Sequence, residues 1–209
     1  GAAGGIIPSS FRILRQVISR LEEEATGLIK PNFLQDQIPA HRRKQAELAG
    51  EVLKDNFSHL FDQVAEPIST DPTELVLNNT WIAALEIIGM DGLPEVKKAG
   101  NVLRAYTKAK LALRLPPTID ATVALDKLSK LLESEAPNAA SISFNCDSPC
   151  PGWHAPTEQP ALTAALQQAS KTFFGLPAMS MGCGGSIPFM EALATRLPDA
   201  QYVVTGVLG

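Results

Sequence analysis

The residues at 182–186, Gly-Cys-Gly-Gly-Ser, place three glycines, a cysteine and a serine between an apolar run and a helix-like run. We expect a strand at 178–181 and a helix at 186–197, so this segment is predicted to be a strand-to-helix turn. Backbone N–H groups at the start of a helix point outward and carry a partial positive charge, a geometry that receives an anion. The segment is therefore our first candidate binding site.

Cys183 offers a second chemistry within the same segment. A thiol at the start of a helix can have a lowered pKa and act as a nucleophile. Such a nucleophile needs a nearby base, and the sequence offers no obvious one. We therefore favour the anion-binding interpretation.

Histidine and cysteine spacing gives no catalytic residue and no metal ligand. His41, His59 and His154 are far apart and lack the His-x-Asp or paired-carboxylate surroundings of a hydrolytic metal site. His41 and His59 fall in predicted helices and are expected to be structural or solvated, whereas a role for His154 in a site is left open. Cys146 and Cys150 could form half of a metal site, but the sequence has no second half.

The composition is that of a soluble globular protein, with 209 residues, 45% of them hydrophobic and 19% charged. A net charge of −4 and a pI near 5.4 argue against nucleic acid as a partner. No apolar run approaches the ~18–20 residues of a membrane span, and no signal-peptide pattern is present. The odd number of cysteines, three, favours reduced thiols and a cytoplasmic protein.

Hydrophobic periodicity predicts the elements that position these residues. Helical spacing predicts a helix from about residue 10 to near Gly27 and a helical region over 39–64. A turn-rich stretch follows at 67–79, with Asp71-Pro72 as a helix breaker.

Further elements are expected along the rest of the first part: strands at 81–88, 106–115 and 141–146, and a helix between the last two that carries Leu125, Leu128, Leu131 and Leu132. Residues 106–115 alternate between a polar and a packed face, and the apolar side of 141–146 is formed by Ile142, Phe144 and Cys146.

That order is helix, strand, strand, helix, strand, and one strand ahead of Gly1 would complete a β-α-β-β-α-β module. From 157 onward, helices alternate with strands at 178–181 and from 202, as in part of a parallel sheet. The predicted fold class is therefore α+β, a ferredoxin-like antiparallel sheet with helices on one face followed by a partial α/β unit. A glycine-rich start without Met and a strand-like end lead us to expect a piece of a longer polypeptide.

Four motifs occur in order along the chain: GGIIPSS at 4–10, GNVL at 100–103, LRLPP at 113–117 and GGSIP at 184–188. Together they resemble the lid-domain and following motifs of the zinc-dependent exopeptidases and deacylases. That family includes carnosine dipeptidases, acetylornithine deacetylase and succinyl-diaminopimelate desuccinylase. The resemblance covers essentially the whole chain and is nearest to the dipeptidase-like branch.

The resemblance implies three ranges: a lid and dimerisation domain at 1–146, a linker at 147–156, and a returning part of the catalytic α/β domain at 157–209. It implies paired zinc ions and a homodimer formed through the lid. It also implies that the metal ligands, the catalytic glutamate and the lid histidine lie outside this sequence. We therefore expect the chain alone to contain no catalytic residue, to bind no zinc and to be inactive.

The resemblance also assigns substrate-binding roles. It makes Arg114 a clamp on the substrate carboxylate, where the alternative is a surface or salt-bridging arginine. It gives Asn101 contact with the substrate or its tetrahedral intermediate, where the alternative is an ordinary turn asparagine. It places Gly184, Gly185 and Ser186 around the carboxylate. The sequence departs from the family at Cys183, where glutamate is common.

Two functions follow from these observations. The first is part of a metal-dependent hydrolase that cleaves the amide bond of dipeptides or N-acyl amino acids. The alternative is a non-catalytic ferredoxin-like module for ligand binding or dimerisation. A His-x-Asp motif upstream in a longer reading frame, with a histidine-containing loop after Gly209, would separate the two.

Overall fold

The computed structural model describes residues 1–57, 65–184 and 187–206. The chain divides into two compact units, each built from two stretches of sequence. Unit 1 comprises Gly1–Asp36 and Ile82–Cys150, and unit 2 comprises Gln37–Trp81 and Pro151–Gly209. The predicted division into a lid (1–146), a linker and a catalytic part (157–209) is based on function rather than on contacts within the fold. It stays a prediction.

The described residues form helices and one antiparallel pair of strands, which confirms the α+β class. In chain order the elements are α1 (Ser10–Ile18), α2 (Ala40–Phe57), α3 (Pro72–Thr80), β1 (Ala84–Asp91), β2 (Lys108–Arg114), α4 (Ala121–Glu133), α5 (Pro160–Phe174) and α6 (Pro188–Arg196). Short 3₁₀ turns occur at Asn32–Leu34, Val96–Lys98 and Pro137–Ala139. None of the helices in the described ranges has the length and apolarity needed to cross a membrane.

Helix α1 begins where the Ser9 hydroxyl accepts a hydrogen bond from the Arg12 N–H at 3.2 Å, an ordinary N-cap. It ends at Ile18, so the prediction that it continues to near Gly27 is wrong. The chain instead reverses, and the Lys30 N–H donates to the Leu21 carbonyl at 2.7 Å. Gly27, with φ of +71°, allows this reversal.

Strands β1 and β2 pair antiparallel, from Ala84 opposite Arg114 to Asp91 opposite Lys108. The alternation predicted for β2 is confirmed, because its Lys, Ala112 and Arg positions are exposed while the residues between them are half-buried. Gly92 ends the hairpin arm with φ of +91°, and a side chain there would lie 2.4 Å from the Tyr106 carbonyl oxygen. Only glycine fits this close approach without a shift of the backbone.

One apolar core joins the sheet of unit 1 to α1 and α4. Its buried members are Val17, Leu21, Ile29, Leu34, Ala83, Ala124, Leu128 and Leu132. Leu85, Leu111 and Leu113 of the strands pack against these residues. The predicted arrangement of helices packed on a face of an antiparallel sheet is thus present in unit 1.

Helix α4 is capped at both ends by side chains. The Asp120 carboxylate accepts hydrogen bonds from the N–H groups of Thr122 and Val123, at 2.8 and 3.0 Å. At the other end the Arg20 guanidinium donates to carbonyl groups at and beyond the last turn. These caps satisfy groups that have no partner inside the helix itself.

The strand predicted at 141–146 is not formed, and its predicted apolar side is confirmed for two of three residues. Ile142 and Phe144 pack against the unit 1 core, whereas Cys146 is exposed. The Phe144 N–H donates to the Glu133 carboxylate at 2.8 Å instead of to a strand neighbour. A side chain of α4 has therefore taken the place of a strand partner at this point.

Unit 2 contains a helix that was predicted to be turns. The stretch predicted to be turn-rich, 67–79, contains most of α3. The Asp71 carboxylate accepts a hydrogen bond from the Thr73 N–H at 2.8 Å, and Pro72 occupies the first turn. Asp-Pro starts a helix here because proline at this position loses no helical hydrogen bond. Helices α2 and α3 cross closely at Gly50, where an added side chain would lie 2.8 Å from the Pro72 backbone.

The parallel sheet predicted for the C-terminal part is not formed. No strand occurs at 178–181 or at 202–206, and α5 and α6 are the regular elements described there. Helix α6 begins at Pro188 and ends at Arg196, slightly inside the predicted range of 186–197. At Ala178 the reason is that the side chain of Gln167, rather than a neighbouring strand, hydrogen-bonds to the backbone.

Candidate functional site

Arg114 is the last residue of β2 and lies on its exposed face. Leu113 and Leu115 on either side pack against the unit 1 core, and Pro116 is fully buried. The backbone that carries the guanidinium is therefore held on both sides by packed residues. The role of Arg114 as a carboxylate clamp stays a prediction.

Asn101 is exposed in the segment that leads from the turn at Val96–Lys98 to β2. Its carbonyl oxygen accepts a hydrogen bond from the amino group of Gly1 at 2.9 Å. The Val102 N–H donates to the Gly100 carbonyl at 2.8 Å, which makes this a tight turn. Asn101 and Arg114 belong to the same unit, and Asn101 has the turn geometry that its ordinary interpretation predicts.

The glycine-rich segment lies in unit 2, and the structure describes it through Gly184. We call residues 178–184 the Gly-Cys loop. The two remaining predicted contacts, Gly185 and Ser186, lie outside the described residues, as does His59. Cys183 is exposed.

Two contacts hold the Gly-Cys loop. The Gln167 side chain donates to the Ala178 carbonyl at 2.8 Å and accepts from the Ala178 N–H at 3.1 Å. Farther along, a side chain at Gly182 would lie 3.0 Å from both Cβ and Cγ2 of Thr80. The loop is thus fixed against α5 at one point and against the end of α3 at another.

Replacing Gly182 with alanine should lower the free energy of unfolding by about 1 kcal/mol, because the new methyl overpacks the contact with Thr80. The added change Thr80→Ser removes Cγ2 and should recover part of this loss. Urea unfolding of the single and double variants measures both effects. A Gly182→Ala variant as stable as the wild type would contradict the close approach.

A cluster in unit 2 brings together residues that the sequence left apart. The His154 ring lies 6.2 Å from that of His41, nearly parallel, and 5.3 Å from that of Trp81, edge to face. The Arg42 Nε–H donates to His154 Nε2 at 3.4 Å, and its terminal nitrogens donate to Gln45 and to the Ala155 carbonyl. Sequence reasoning missed this cluster because His154 lies more than 70 residues along the chain from His41, Arg42 and Trp81.

Burial against the neighbouring rings lowers the pKa of His154 below its ordinary value of 6.5, and the charges of Arg42 and His41 lower it further. Burial also lowers the pKa of Arg42, partly offset by Glu158. Neutral His154 is the form that fits, since its Nε2 must accept the Arg42 hydrogen bond. A protonated imidazole would place a second cation and a second donor at this contact.

The unfolded chain binds a proton at His154 at higher pH than the folded chain does. Neutral His154 therefore contributes fully to the stability of the fold above pH 6.5. This contribution is lost as the pH falls through the pKa of His154 in the folded chain, which is the lower of the two. We expect a modest effect, because the residue is still exposed to solvent overall. Urea unfolding at about pH 7.5 and about pH 5.5 should show a smaller acid-induced loss for His154→Gln than for the wild type. Equal losses in the two proteins would contradict this assignment.

Within the described ranges, no group of three or more His, Cys, Asp or Glu side chains could hold a metal ion. One pair of possible donors is His41 with His154, whose ring centroids lie 6.2 Å apart. There the Arg42 guanidinium hydrogen-bonds directly to an imidazole nitrogen, which places a fixed cation where a metal would bind. The described residues therefore do not fit a zinc site.

Comparison with known proteins finds no matching family model and no matching curated protein. Among solved structures, human carnosine dipeptidase 1 superposes with a TM-score of 0.68 at 17% identity, over 93% of this chain and 42% of its own. The di-peptidase Dug1p from Saccharomyces cerevisiae gives 0.69 at 17% identity, over 95% and 42%. The M20 family metallo-carboxypeptidase Sso-CP2 from Sulfolobus solfataricus gives 0.68 at 16% identity, over 94% and 50%.

At such low identity these matches establish a shared fold. The chain spans between 42% and 50% of the length of those three peptidases. Nearly all of the chain takes part in each match, so the similarity includes both units rather than a single common motif.

Proposed function

We propose that this chain is the substrate-binding part of a metal-dependent hydrolase that cleaves the amide bond of dipeptides or N-acyl amino acids. The observation that supports the proposal is the fold. Two dipeptidases and one metallo-carboxypeptidase share it over 93% to 95% of this chain.

In unit 1, the proposed role of Arg114 is to bind the free carboxylate of the substrate. Its guanidinium can donate two parallel hydrogen bonds to the two carboxylate oxygens. Asn101 is the second proposed contact of unit 1, with a side-chain amide that can donate to a carbonyl oxygen or accept from an N–H. Together these contacts would select substrates with a free carboxyl end and orient the scissile amide.

In unit 2, the proposed contribution comes from the Gly-Cys loop and the residues that follow it. Gly184 has no side chain, so a ligand can approach its backbone closely. Gly185 and Ser186 complete the proposed set of contacts. Cys183 has no assigned role in the chemistry, and we expect Cys183→Ser to leave activity nearly unchanged.

The described residues do not fit a metal site, so we place the zinc ligands of the proposed enzyme in a longer polypeptide and derive no step through them. When bound, paired zinc ions would supply Lewis-acid activation of the amide and of water. The residues of this chain would bind the substrate and orient it. The chain by itself is proposed to be inactive.

We further propose a cytoplasmic homodimer formed through the lid, residues 1–146. Among the described residues the sheet has two strands, and Ile87 and Ile88 near the middle of β1 are exposed, at 48% and 58%. Exposed strand edges and branched apolar side chains are features that pairing with a second copy would cover. Light scattering that shows a monomer at high concentration would contradict this part of the proposal.

The test of the function uses the longer polypeptide that contains this chain. Purified protein is assayed against a panel of dipeptides and N-acyl amino acids, as free acids and as C-terminal amides, before and after removal of metal by a chelator. We expect hydrolysis that is lost with the metal, restored by zinc and strongest for the free acids. Ligand binding without hydrolysis would instead support the non-catalytic module.

A further inference from the structure

The Gln167 side chain forms a reciprocal pair with the backbone of a single residue. Its amide nitrogen donates to the Ala178 carbonyl and its amide oxygen accepts from the Ala178 N–H, at 2.8 and 3.1 Å. Both hydrogen bonds are partly buried. Two groups that a strand neighbour would ordinarily satisfy are thus satisfied by one planar amide.

This pair fixes the start of the Gly-Cys loop to a rigid element. Gln167 lies in the middle of α5, which runs from Pro160 to Phe174. After α5 the chain turns at Gly175, whose φ of +74° closes the helix, and returns so that Ala178 meets Gln167. Because both donor and acceptor are used, the pair sets the orientation of the Ala178 backbone as well as its position.

The second attachment of the loop is at Gly182. The Thr80 hydroxyl donates to the Val76 carbonyl at 2.7 Å, which fixes the side-chain rotamer of Thr80. Thr80 Cβ and Cγ2 then lie against Gly182, where a side chain would be 3.0 Å away. The segment between Ala178 and Gly182 is therefore held at both ends, and Gly184 follows directly.

From this geometry we propose that Gln167 is a positioning residue for substrate binding: by holding both backbone groups of Ala178, it sets the place of the Gly-Cys loop that contacts the substrate. This inference rests on the proposed function for its consequence in substrate binding. Its structural part, control of the loop by one side chain, does not depend on any substrate. The ligand class is the same, a dipeptide or N-acyl amino acid with a free carboxylate.

The first experiment measures amide hydrogen exchange by NMR in this chain. Gln167→Ala should speed exchange of the Ala178 amide by about tenfold, since the amide loses a hydrogen bond of ordinary strength. Gln167→Glu keeps an acceptor for the Ala178 N–H but places a carboxylate oxygen against the Ala178 carbonyl, so it should restore only a small part of this protection. Gln168→Ala, an exposed neighbour on the same helix, is the matched control and should exchange like the wild type at Ala178.

The second experiment measures hydrolysis by the longer polypeptide. Gln167→Ala should raise KM for free-acid dipeptides by about fivefold, with kcat changed less than about twofold, because loop position affects ground-state binding. Gln168→Ala should leave both constants unchanged. Unaltered Ala178 exchange in Gln167→Ala, or equal falls in kcat for free-acid and amidated substrates, would overturn the positioning role. Lack of any hydrolysis by the wild-type polypeptide would overturn the proposed function instead, and the exchange measurement separates the two failures.

Discussion

Replacing Arg114 with alanine is expected to lower kcat/KM of the longer polypeptide for free-acid dipeptides by roughly 30-fold or more. Loss of one partner from a desolvated charge pair costs about 2–5 kcal/mol, and the rate ratio follows from that free energy. Arg114→Lys should recover only part of the loss, since an ammonium group cannot form the bidentate contact. Steady-state kinetics on matched free-acid and amidated dipeptides measure the effect.

The amidated substrates provide the decisive comparison for Arg114. With no carboxylate to bind, they should lose much less from the substitution than the free acids do. Lys110→Ala is the matched control, since Lys110 occupies the same exposed face of β2 and its contact with Asp147, at 3.7 Å, is solvent-exposed. Equal losses on both substrate types would show that Arg114 supports the fold or the dimer.

Replacing Arg20 with alanine should lower the free energy of unfolding by about 3 kcal/mol, because several charge-assisted hydrogen bonds are lost at once and water replaces them only in part. The guanidinium donates to four carbonyl oxygens around the end of α4: Leu131 at 2.9 Å, Leu132 at 3.3 Å, Ser134 at 2.6 Å and Glu135 at 2.8 Å. Without Arg20, the Leu131 carbonyl keeps the Ser134 hydroxyl as a donor at 3.1 Å, and the guanidinium bonds to the other three carbonyls are lost. Urea unfolding monitored by circular dichroism measures the loss.

Arg20→Lys tests whether the fork or the charge matters. One ammonium group cannot reach carbonyls spread over this length of chain in the same way, so the lysine variant should recover less than half of the loss. Arg12→Ala, on an exposed position of α1, should change stability by no more than about 0.5 kcal/mol. Equal stability of Arg20→Ala and Arg12→Ala would contradict the capping role.

Local signals in the sequence predicted the elements whose patterns are strong. Strand β2 was predicted from strict alternation and α4 from its leucine spacing, because burial on one face dictates both patterns. Helix α3 was missed because Asp71-Pro72 was interpreted as a breaker, whereas the same two residues form a cap and a first turn. At 141–146 the buried side was predicted correctly for Ile142 and Phe144 but not for Cys146. Its pairing was not predicted, because the Phe144 N–H meets the Glu133 carboxylate instead of a strand.

The candidate site could likewise be predicted only in part from the sequence. The exposed position of Arg114 follows from alternation along β2 and could be predicted. The supports could not be predicted, because Gln167 and Ala178 meet only after Gly175 reverses the chain. The cluster around His154 was likewise hidden, since Arg42 and Trp81 come from an earlier stretch. Residue type and spacing thus identified candidates, while three-dimensional contacts identified what holds them.

The discontinuous construction of both units has a consequence for the order of events at the ribosome. Synthesis proceeds from the N-terminus at about 5–20 residues per second, and structure forms as its partners emerge. Residues 1–36 must wait for 82–150 before unit 1 can close, and 37–81 must wait for 151–209 before unit 2 is complete. Helices α2 and α3 share an apolar cluster of their own, with Ala49, Leu77 and Trp81 buried in it. That helical pair can therefore close before residues 82–209 are made, and it is the natural first folded piece among the residues of this chain.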